Sequence, residues 1–213
     1  VQNGKVFAAR SGNGATAVGP LRCYDALTGN FLWASSDTIT AGPYDGVVFA
    51  SNGDPIVADF RNITRFDAHT GNTLWRTNRL CSVTGNCGGA LSADAVYSAD
   101  VAPGGDVIKK FDIDTGAFEY ESTLMVGFTL QNSPMVAPDG TVYLPRSQND
   151  PATGVLYAFD DAGTALIGRW NVPTQWSTST ELAVGPDDSV CPLAPGRLLT
   201  RLDSATGATL DQY

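Results

Sequence analysis

The feature that most constrains this chain is a short phrase that occurs five times. In its clearest form it reads RFDAHTGNTLW, from Arg65 to Trp75. Its leading aspartates lie 42 to 48 residues apart, at Asp25, Asp67, Asp112, Asp160 and Asp203. A period of this size is typical of propellers and solenoids, in which each repeat packs only on its neighbours. The repeat therefore predicts an array of similar units.

The only histidine, His69, lies within this phrase. The other repeats have Leu27, Asp114, Ala162 and Ala205 at its position. A general base needs a fixed geometry toward its substrate, and such a freely varying turn position does not provide one. We therefore expect His69 to be a solvent-facing turn residue.

Each repeat divides into four short strands. A Pro/Asp/Gly-rich turn is predicted to follow the first strand, because such pairs between apolar runs favour hairpins. These turns are GPYDG (42–46), LSADA (91–95), APDGT (137–141) and GPDDS (185–189). The second strand carries an aromatic position, held by Phe7, Phe49, Tyr97 and Tyr143, with Cys191 in the last repeat.

The third strand ends at the repeated aspartate. The residue before this aspartate and the residue three positions earlier point to opposite faces of a strand, and both are apolar or aromatic. Each sheet is therefore predicted to be covered on both faces. In the Asp-X-X-Thr-Gly turn, the carboxylate accepts backbone N–H groups and the glycine takes a left-handed conformation. The fourth strand closes on Trp33, Trp75 and Tyr120, with Tyr213 as the counterpart in the last repeat, and these rings are predicted to pack between blades.

With 23 glycines, 12 prolines and 16% charged residues, the chain is predicted to be all-β. We expect a single β-propeller domain over residues 1–213, with about five four-stranded blades of which the first lacks one strand. The repeats run around 1–34, 35–77, 78–122, 123–172 and 173–213. Three arrangements remain open: a closed ring with a three-stranded blade, which we favour, a fragment of a longer propeller, or a blade completed by a strand from another chain.

Four cysteines allow three pairings. Cys81 and Cys87 bracket a short loop that a disulfide could close. Cys23 and Cys191 lie in the first and last repeats, which would be neighbours in a closed ring, so they are either a staple between these repeats or two buried thiols. Disulfides would indicate an oxidising compartment: extracellular, cell-surface or periplasmic. Asn62 begins the one Asn-X-Ser/Thr sequon, which matters only in a glycosylating cell.

The net charge of −9 argues against nucleic acid or an anionic membrane surface as a partner, since both attract basic patches. No apolar run approaches the ~20 residues of a membrane-spanning helix, so membrane insertion is not expected. No acidic cluster has the spacing of a calcium loop, and a single histidine does not support a His-rich metal centre. We therefore expect no metal site.

The phrase FDAxTGxxLW, preceded by segments such as APDGTVY, resembles the PQQ-like repeat. This repeat forms the blades of propellers that include quinoprotein dehydrogenases, outer-membrane assembly lipoproteins and cell-surface or sensor domains. The dehydrogenase pattern implies eight blades, two adjacent cysteines over the cofactor and a calcium site with a catalytic aspartate. This chain has about five repeats and no adjacent cysteines. The resemblance therefore implies a propeller without a quinone cofactor, and not a quinoprotein dehydrogenase.

Function is expected on the face that carries the longer connections, since loop variation on a rigid scaffold commonly carries binding. Trp176, which lies among polar residues in the sequence, could stack on a sugar ring or could pack on the channel wall. The candidate ligand-binding residues are Trp176, Gln131, Asn132, Arg146 and Gln148.

Three functions follow. The leading one is a non-catalytic extracytoplasmic propeller that binds a protein or carbohydrate partner on the long-loop face. The second is a structural protein that self-associates through an open blade edge. The third is a polysaccharide-acting enzyme, which would require Arg10, Arg61, Arg79 and Arg146 to converge at the channel mouth.

Overall fold

The computed structural model describes residues 1–9, 17–40, 46–80, 88–127, 133–147, 154–174, 182–185, 187–194 and 198–213. Within these residues all regular secondary structure is β-strand, in five antiparallel sheets that follow one another along the chain. Among the described residues there is no helix of the length and apolarity that a bilayer crossing needs.

The first sheet has three strands: β1 (Lys5–Ala8), β2 (Ala17–Asp25) and β3 (Phe31–Thr40). The second has four: β4 (Val48–Phe49), β5 (Pro55–Ala58), β6 (Asn62–Phe66) and β7 (Thr73–Asn78). The third consists of β8 (Gly89–Leu91), β9 (Ala95–Ala102), β10 (Gly105–Asp112), β11 (Phe118–Glu121) and β12 (Met125–Val126). The fourth consists of β13 (Met135–Val136), β14 (Val142–Ser147), β15 (Gly154–Asp161) and β16 (Leu166–Thr174). The fifth consists of β17 (Ala183–Val184), β18 (Val190–Cys191), β19 (Leu193–Ala194), β20 (Leu198–Leu202) and β21 (Thr209–Gln212).

Every sheet after the first is a four-stranded unit. In the third sheet β11 and β12 both pair with β10, so together they occupy the fourth-strand position. In the fifth sheet β18 and β19 both pair with β20, on either side of Pro192, which lacks the N–H that a continuous strand would donate. These pairings confirm the predicted propeller blades and the three-stranded first blade.

The sheets stack in chain order. Contacts between strands of different sheets join β3 to β6 and β7, β4 to β8, β8 to β13, and β16 to β19. Among the described strands, contacts of this size join only sheets that follow one another in the chain. Two strands also run past predicted repeat ends, β3 beyond Ala34 and β16 beyond Val172.

Burial separates the inner sheets from the outer ones. All five residues of β6 are buried, and most residues of β10 and of β15 are buried. The residue before the repeated aspartate is buried in four sheets, as Phe66, Phe111, Phe159 and Leu202, but Tyr24 in the first sheet is only partly buried. The prediction that both faces are covered is thus confirmed for the three inner sheets.

The Asp-X-X-Thr-Gly turn has the predicted geometry. The Asp67 carboxylate accepts hydrogen bonds from the backbone N–H of His69 (2.9 Å) and of Thr70 (2.7 Å) and from the Thr70 hydroxyl (2.9 Å). The two bonds from Thr70 hold the pKa of Asp67 below its ordinary value. Gly71 takes a positive φ of 74°, and His69 is exposed, as predicted.

Each tryptophan of a fourth strand binds the turn of the next sheet. The indole N–H of Trp33 donates to the carbonyl of Ala68 (3.2 Å), and the ring lies over Gly71, whose Cβ, if added, would be 2.5 Å from Trp33 Cε3. We call this arrangement a tryptophan joint. The same joint recurs for Trp75 with Ile113 and Gly116, and for Trp170 with Ser204 and Gly207. The predicted packing between blades is confirmed.

The predicted strands of the second repeat are wrong by one strand. Phe49 lies on the first strand of its sheet and not on the second, and the segment 51–62 that follows contains the buried strand β5. The hairpin turn is Ala50–Asp54, where the N–H of Ala50 donates to the carbonyl of Asp54 and Gly53 takes a φ of 90°. The phrase GPYDG has the same turn chemistry, but it precedes this sheet.

The prediction for Tyr213 is also wrong. Across the third and fourth strands Cys23 faces Trp33, Arg65 faces Trp75, Lys110 faces Tyr120, Ala158 faces Trp170 and Arg201 faces Asp211. Asp211 therefore holds the tryptophan position in the last sheet, and Tyr213 lies beyond it, 77% exposed. Trp170, which the sequence did not assign to the fourth-strand series, belongs to it.

Candidate functional site

The third sheet has Tyr120 where a tryptophan joint would begin, and a polar cluster joins it to the fourth sheet. Lys110 Nζ lies 3.0 Å from Asp161 Oδ2 and 2.9 Å from the Tyr120 hydroxyl oxygen. The Tyr97 hydroxyl donates to Asp161 Oδ2 (2.6 Å), and the Tyr120 hydroxyl donates to Asp161 Oδ1. The Lys110 ammonium also lies over the rings of Tyr97 and Tyr120, 5.9 and 5.0 Å from their centroids. We call these four residues the Lys110 cluster.

The environment fixes the protonation states of the cluster. Burial alone would raise the pKa of Asp161, but hydrogen bonds from Tyr120 and Tyr97 outweigh it and hold that pKa well below its usual range. Burial would lower the pKa of Lys110, yet its bonds with Tyr120 and Asp161 hold that pKa above its usual value. Burial and the bond to Asp161 both raise the pKa of Tyr97. Around neutral pH the cluster is therefore a charged pair held by two neutral phenols, and it joins the third sheet to the fourth.

A groove of about 680 Å³ lies beside the cluster. Three sheets line it, because β7, β10, β11 and the turn before β16 meet there. Its lining residues are Thr77, Asn78, Lys109, Phe111, Phe118, Glu119, Tyr120, Glu121 and Thr164. We call it the β11 groove.

β11 is the outermost strand of its sheet and pairs with β10 on its inner side. Its first residue, Phe118, is 52% exposed and packs edge-on against Phe111, with 6.0 Å between ring centroids. Glu119 and Glu121 follow it on the strand and are exposed, and Glu119 Oε2 lies 3.4 Å from Lys110 Nζ. Lys109 pairs with the buried carboxylate of Asp100 (2.9 Å). The groove thus combines a strand edge, an exposed aromatic ring and negative charge, which fits an extended polypeptide with an apolar and a basic side chain.

Two of the four arginines whose convergence the enzyme hypothesis would require join neighbouring sheets. Arg146 on β14 donates to Asp106 Oδ2 (2.8 Å) on β10 and to the Gly127 carbonyl (2.7 Å), and it faces the ring of Tyr157. Arg79, just after β7, donates to the Ala99 carbonyl on β9 (2.5 Å), and burial lowers its pKa to about 10. Arg146 and Arg79 are buried and Arg61 is exposed, while Arg10 lies outside the described residues.

Four of the five candidate ligand-binding residues, Trp176, Gln131, Asn132 and Gln148, lie outside the described residues, as do Cys81 and Cys87. Within the part of the structure that is described, no three His, Cys, Asp or Glu side chains gather as a metal-binding group.

Of the two alternatives for Cys23 and Cys191, the structure has free thiols: Cys23 is buried and Cys191 is partly buried. Cys23 packs with Val57 and Phe66 of the second sheet. Burial also raises the pKa of the Cys23 thiol. Asn62 is buried as well, so the folded chain does not expose its sequon.

The Lys110 cluster was not predicted from the sequence, although two of its features are visible there. Tyr120 replaces the tryptophan of the repeat, and the next repeat carries a second aspartate, Asp161, directly after the repeated Asp160. The Tyr120 hydroxyl, like an indole N–H, needs a hydrogen-bond acceptor in the next turn, and the carboxylate of Asp161 is that acceptor.

The repeated antiparallel sheets agree with a family of repeat propellers that the sequence matches. A family model described as outer membrane protein assembly factor BamB matches residues 59–213. The chain belongs to this PQQ-like repeat family. The match begins between β5 and β6 of the second sheet, spans the third to fifth sheets, and includes two of the three tryptophan joints, those of Trp75 and Trp170. No curated protein matches the sequence.

Solved propellers share the fold of this PQQ-like chain. BamB from Moraxella catarrhalis superposes with a TM-score of 0.63 at 20% identity, covering 98% of this chain and 64% of that one. The computationally designed Ika8 protein gives 0.67 at 18% identity, covering 100% and 59%. Quinohemoprotein alcohol dehydrogenase from Comamonas testosteroni gives 0.64 at 15% identity, covering 99% and 45%. The chain thus spans less than two thirds of each of these proteins, and at such identities the likeness is one of fold.

Proposed function

We propose that this PQQ-like propeller is a non-catalytic binding or scaffold module, and that it takes an extended segment of a partner protein in the β11 groove. The observation that carries the proposal is the edge of β11 with the half-exposed ring of Phe118 beside a 680 Å³ groove. A strand edge offers unpaired main-chain groups, and an adjacent pocket for a side chain adds specificity.

The buried charges of the inner sheets support a scaffold role. Arg65 binds Asp54 of its own sheet (3.0 Å) and the Ile113 carbonyl of the next sheet (2.9 Å). Arg146 and Lys110 join the third sheet to the fourth through Asp106 and Asp161. These groups fix the sheets relative to one another, so that the groove is preorganised, and preorganisation lowers the entropic cost of binding.

The charge of the groove indicates the partner. Glu119 and Glu121 lie on the exposed side of β11, and the whole chain has a net charge of −9. A basic extended segment would be attracted to this edge, and its association would weaken with salt. Membership of a family described by an outer-membrane assembly factor supports a place outside the cytoplasm. The glycan site around Trp176 stays a prediction.

The test uses a photo-crosslinking amino acid at position 118, with position 31 as the matched control. Phe31 is the first residue of the equivalent strand β3, is 58% exposed and packs edge-on against Tyr24 at 5.8 Å. We expect position 118, and not position 31, to crosslink to a discrete protein in the cell envelope of the source. The crosslink should weaken when Glu119→Lys and Glu121→Lys are combined.

Equal crosslinking from positions 118 and 31 would overturn the proposal. It would show that crosslinking depends only on the exposure of the side chain and not on the β11 groove. A crosslink at position 118 that is indifferent to the two charge reversals would exclude the basic segment as the occupant.

A further inference from the structure

The outer strands β7 and β11 hold equivalent positions in neighbouring sheets, and the register of the strands allows them to be compared residue by residue. Thr73 and Phe118 each face the residue before the repeated aspartate, so they are equivalent. Arg76 and Glu121 lie three residues further along these strands and are equivalent too. The second sheet thus has a threonine and an arginine where the third sheet has an aromatic ring and a carboxylate.

Between the first and second sheets, the threonine and the arginine are both satisfied by the neighbouring strand. Asp37 of β3 accepts a hydrogen bond from the Thr73 hydroxyl (2.6 Å), and its Oδ1 lies 3.6 Å from Arg76 Nη1. The hydroxyl of Ser36, also on β3, lies 3.1 Å from Thr73 Oγ1. The outer strands of these two sheets therefore meet through polar groups that the chain itself supplies.

In the β11 groove, between the second and third sheets, the charge is reversed and has no partner. Glu121 is exposed, and β7 contributes only the neutral side chains of Thr77 and Asn78 to the groove. Lys109 faces Glu121 across the strands, but its ammonium lies 2.9 Å from the buried carboxylate of Asp100. Within the described part of the chain, Glu121 accordingly has no ion-pair partner. The groove leaves a carboxylate where the previous pair of sheets has a completed ion pair.

The ring of Phe118 lies on the same face of the sheet as this carboxylate. Phe118 faces Phe111 and Glu121 faces Lys109, and these two partners are two residues apart on β10, so they point to one face. The register shift next to Glu119 brings the two β11 side chains into line. Phe118 lines the groove and is 52% exposed, so part of its ring is open to a ligand.

A planar cation suits a carboxylate beside an aromatic ring. A guanidinium can lie against the ring and at the same time donate two parallel hydrogen bonds to the carboxylate. An ammonium is a compact and strongly hydrated charge, and it gains less from the ring. The two features of the groove together favour arginine over lysine.

We propose that the β11 groove binds an arginine side chain of the partner segment, with its guanidinium paired to Glu121 and lying against the ring of Phe118. This inference rests on the proposed function of the groove, and it names the residue that the groove selects in its partner. Glu119 is not the acceptor, because its Oε2 already lies 3.4 Å from Lys110 Nζ.

The probes are N-acetyl-arginine methylamide and N-acetyl-lysine methylamide, which carry the two side chains on too little main chain to form a strand. Each is titrated into the whole ¹⁵N-labelled chain, and the amide signals of Phe118 to Glu121 are followed by NMR. We expect saturable shifts with the arginine probe and a dissociation constant at least about threefold higher for the lysine probe. Glu121→Gln should raise the dissociation constant of the arginine probe at least about threefold, and Phe118→Ala should make the two probes bind equally.

The matched control is Glu119→Gln, which removes a neighbouring exposed carboxylate that already has a cation. It should weaken the arginine probe clearly less than Glu121→Gln does. Equal effects of the two variants, equal binding of the two probes to the wild-type chain, or no saturable shift at Phe118 to Glu121 would each overturn the proposal. Because the probes cannot add a strand, these results are independent of the crosslinking test. Binding of the arginine probe without a crosslinked partner would remove the proposed function and leave the arginine site, whereas a crosslinked partner without binding of the probe would remove this inference alone.

Discussion

Arg201 and Asp211 face each other across β20 and β21, with 2.8 Å between Nη2 and Oδ2. In the first, second and fourth sheets the second member of this pair of positions is a tryptophan that binds the next sheet. Both charged side chains are 41% exposed, so the pair adds little to stability. Its effect is to give the fifth sheet a charged pair at the point where the first, second and fourth sheets carry a joint.

Gly71→Asn should destabilise the protein, whereas Gly163→Asn should not. A Cβ at position 71 would be 2.5 Å from Trp33 Cε3, while that at position 163 meets nothing within 4 Å. Overpacking of this kind costs about 1–3 kcal/mol in the free energy of unfolding. The measurement is the urea midpoint of both variants. Equal midpoints would mean that the Trp33 ring moves aside without cost.

Asp161→Asn tests the Lys110 cluster through its pH dependence. The folded-state pKa of Asp161 is held below the unfolded value, so its contribution is complete above about pH 4 and is lost as the pH falls through the folded-state pKa. At pH 7 the variant should lose about 1–3 kcal/mol, as expected for hydrogen bonds to a charged group. Its difference from the wild type should shrink below about pH 4.

The control for this experiment is Asp211→Asn, which removes one charge of an exposed ion pair on β21. Its effect should be about 1 kcal/mol or less. If Asp161→Asn behaved in the same way, the cluster would not be what holds the third sheet to the fourth.

Arg146→Met should be among the most destabilising single changes in the described residues. It leaves the Asp106 carboxylate, which is fully buried, without its arginine, and loss of one partner of such a pair costs roughly 3–5 kcal/mol. Combining it with Asp106→Leu should recover part of this loss. A double variant as unstable as the sum of the two single ones would show that the two side chains do not interact.

The two described thiols should differ in reactivity. Cys23 is fully buried with a raised pKa, and Cys191 is partly exposed. We expect a thiol reagent followed by peptide mass spectrometry to modify Cys191 in the native protein and Cys23 only after unfolding. Recovery of a peptide in which Cys23 is linked to Cys191 would contradict the structure.

The third and fourth strands could be predicted because their signal lies in adjacent residues: the apolar position before the aspartate, the Thr-Gly turn and the tryptophan four residues after the glycine in two repeats. Trp170 lies seven residues after Gly163, so a count from the glycine misplaces it. The second repeat offered two turns of similar chemistry, around Pro43 and around Gly53, and only strand pairing decides between them. Lys110 and Asp161 are 51 residues apart, and their meeting depends on the packing of two sheets that no local pattern encodes.

The division of each joint between two repeats has a consequence for how such chains grow. One repeat carries a tryptophan on its fourth strand and, in its turn, the glycine and carbonyl that receive the tryptophan of the repeat before it. A tandem duplication of a whole repeat therefore creates a complete new joint from parts that already match, and the array can gain or lose units without a new kind of contact. Asp211, which stands where a tryptophan would otherwise be, shows that a repeat can also lack the ring that makes the joint.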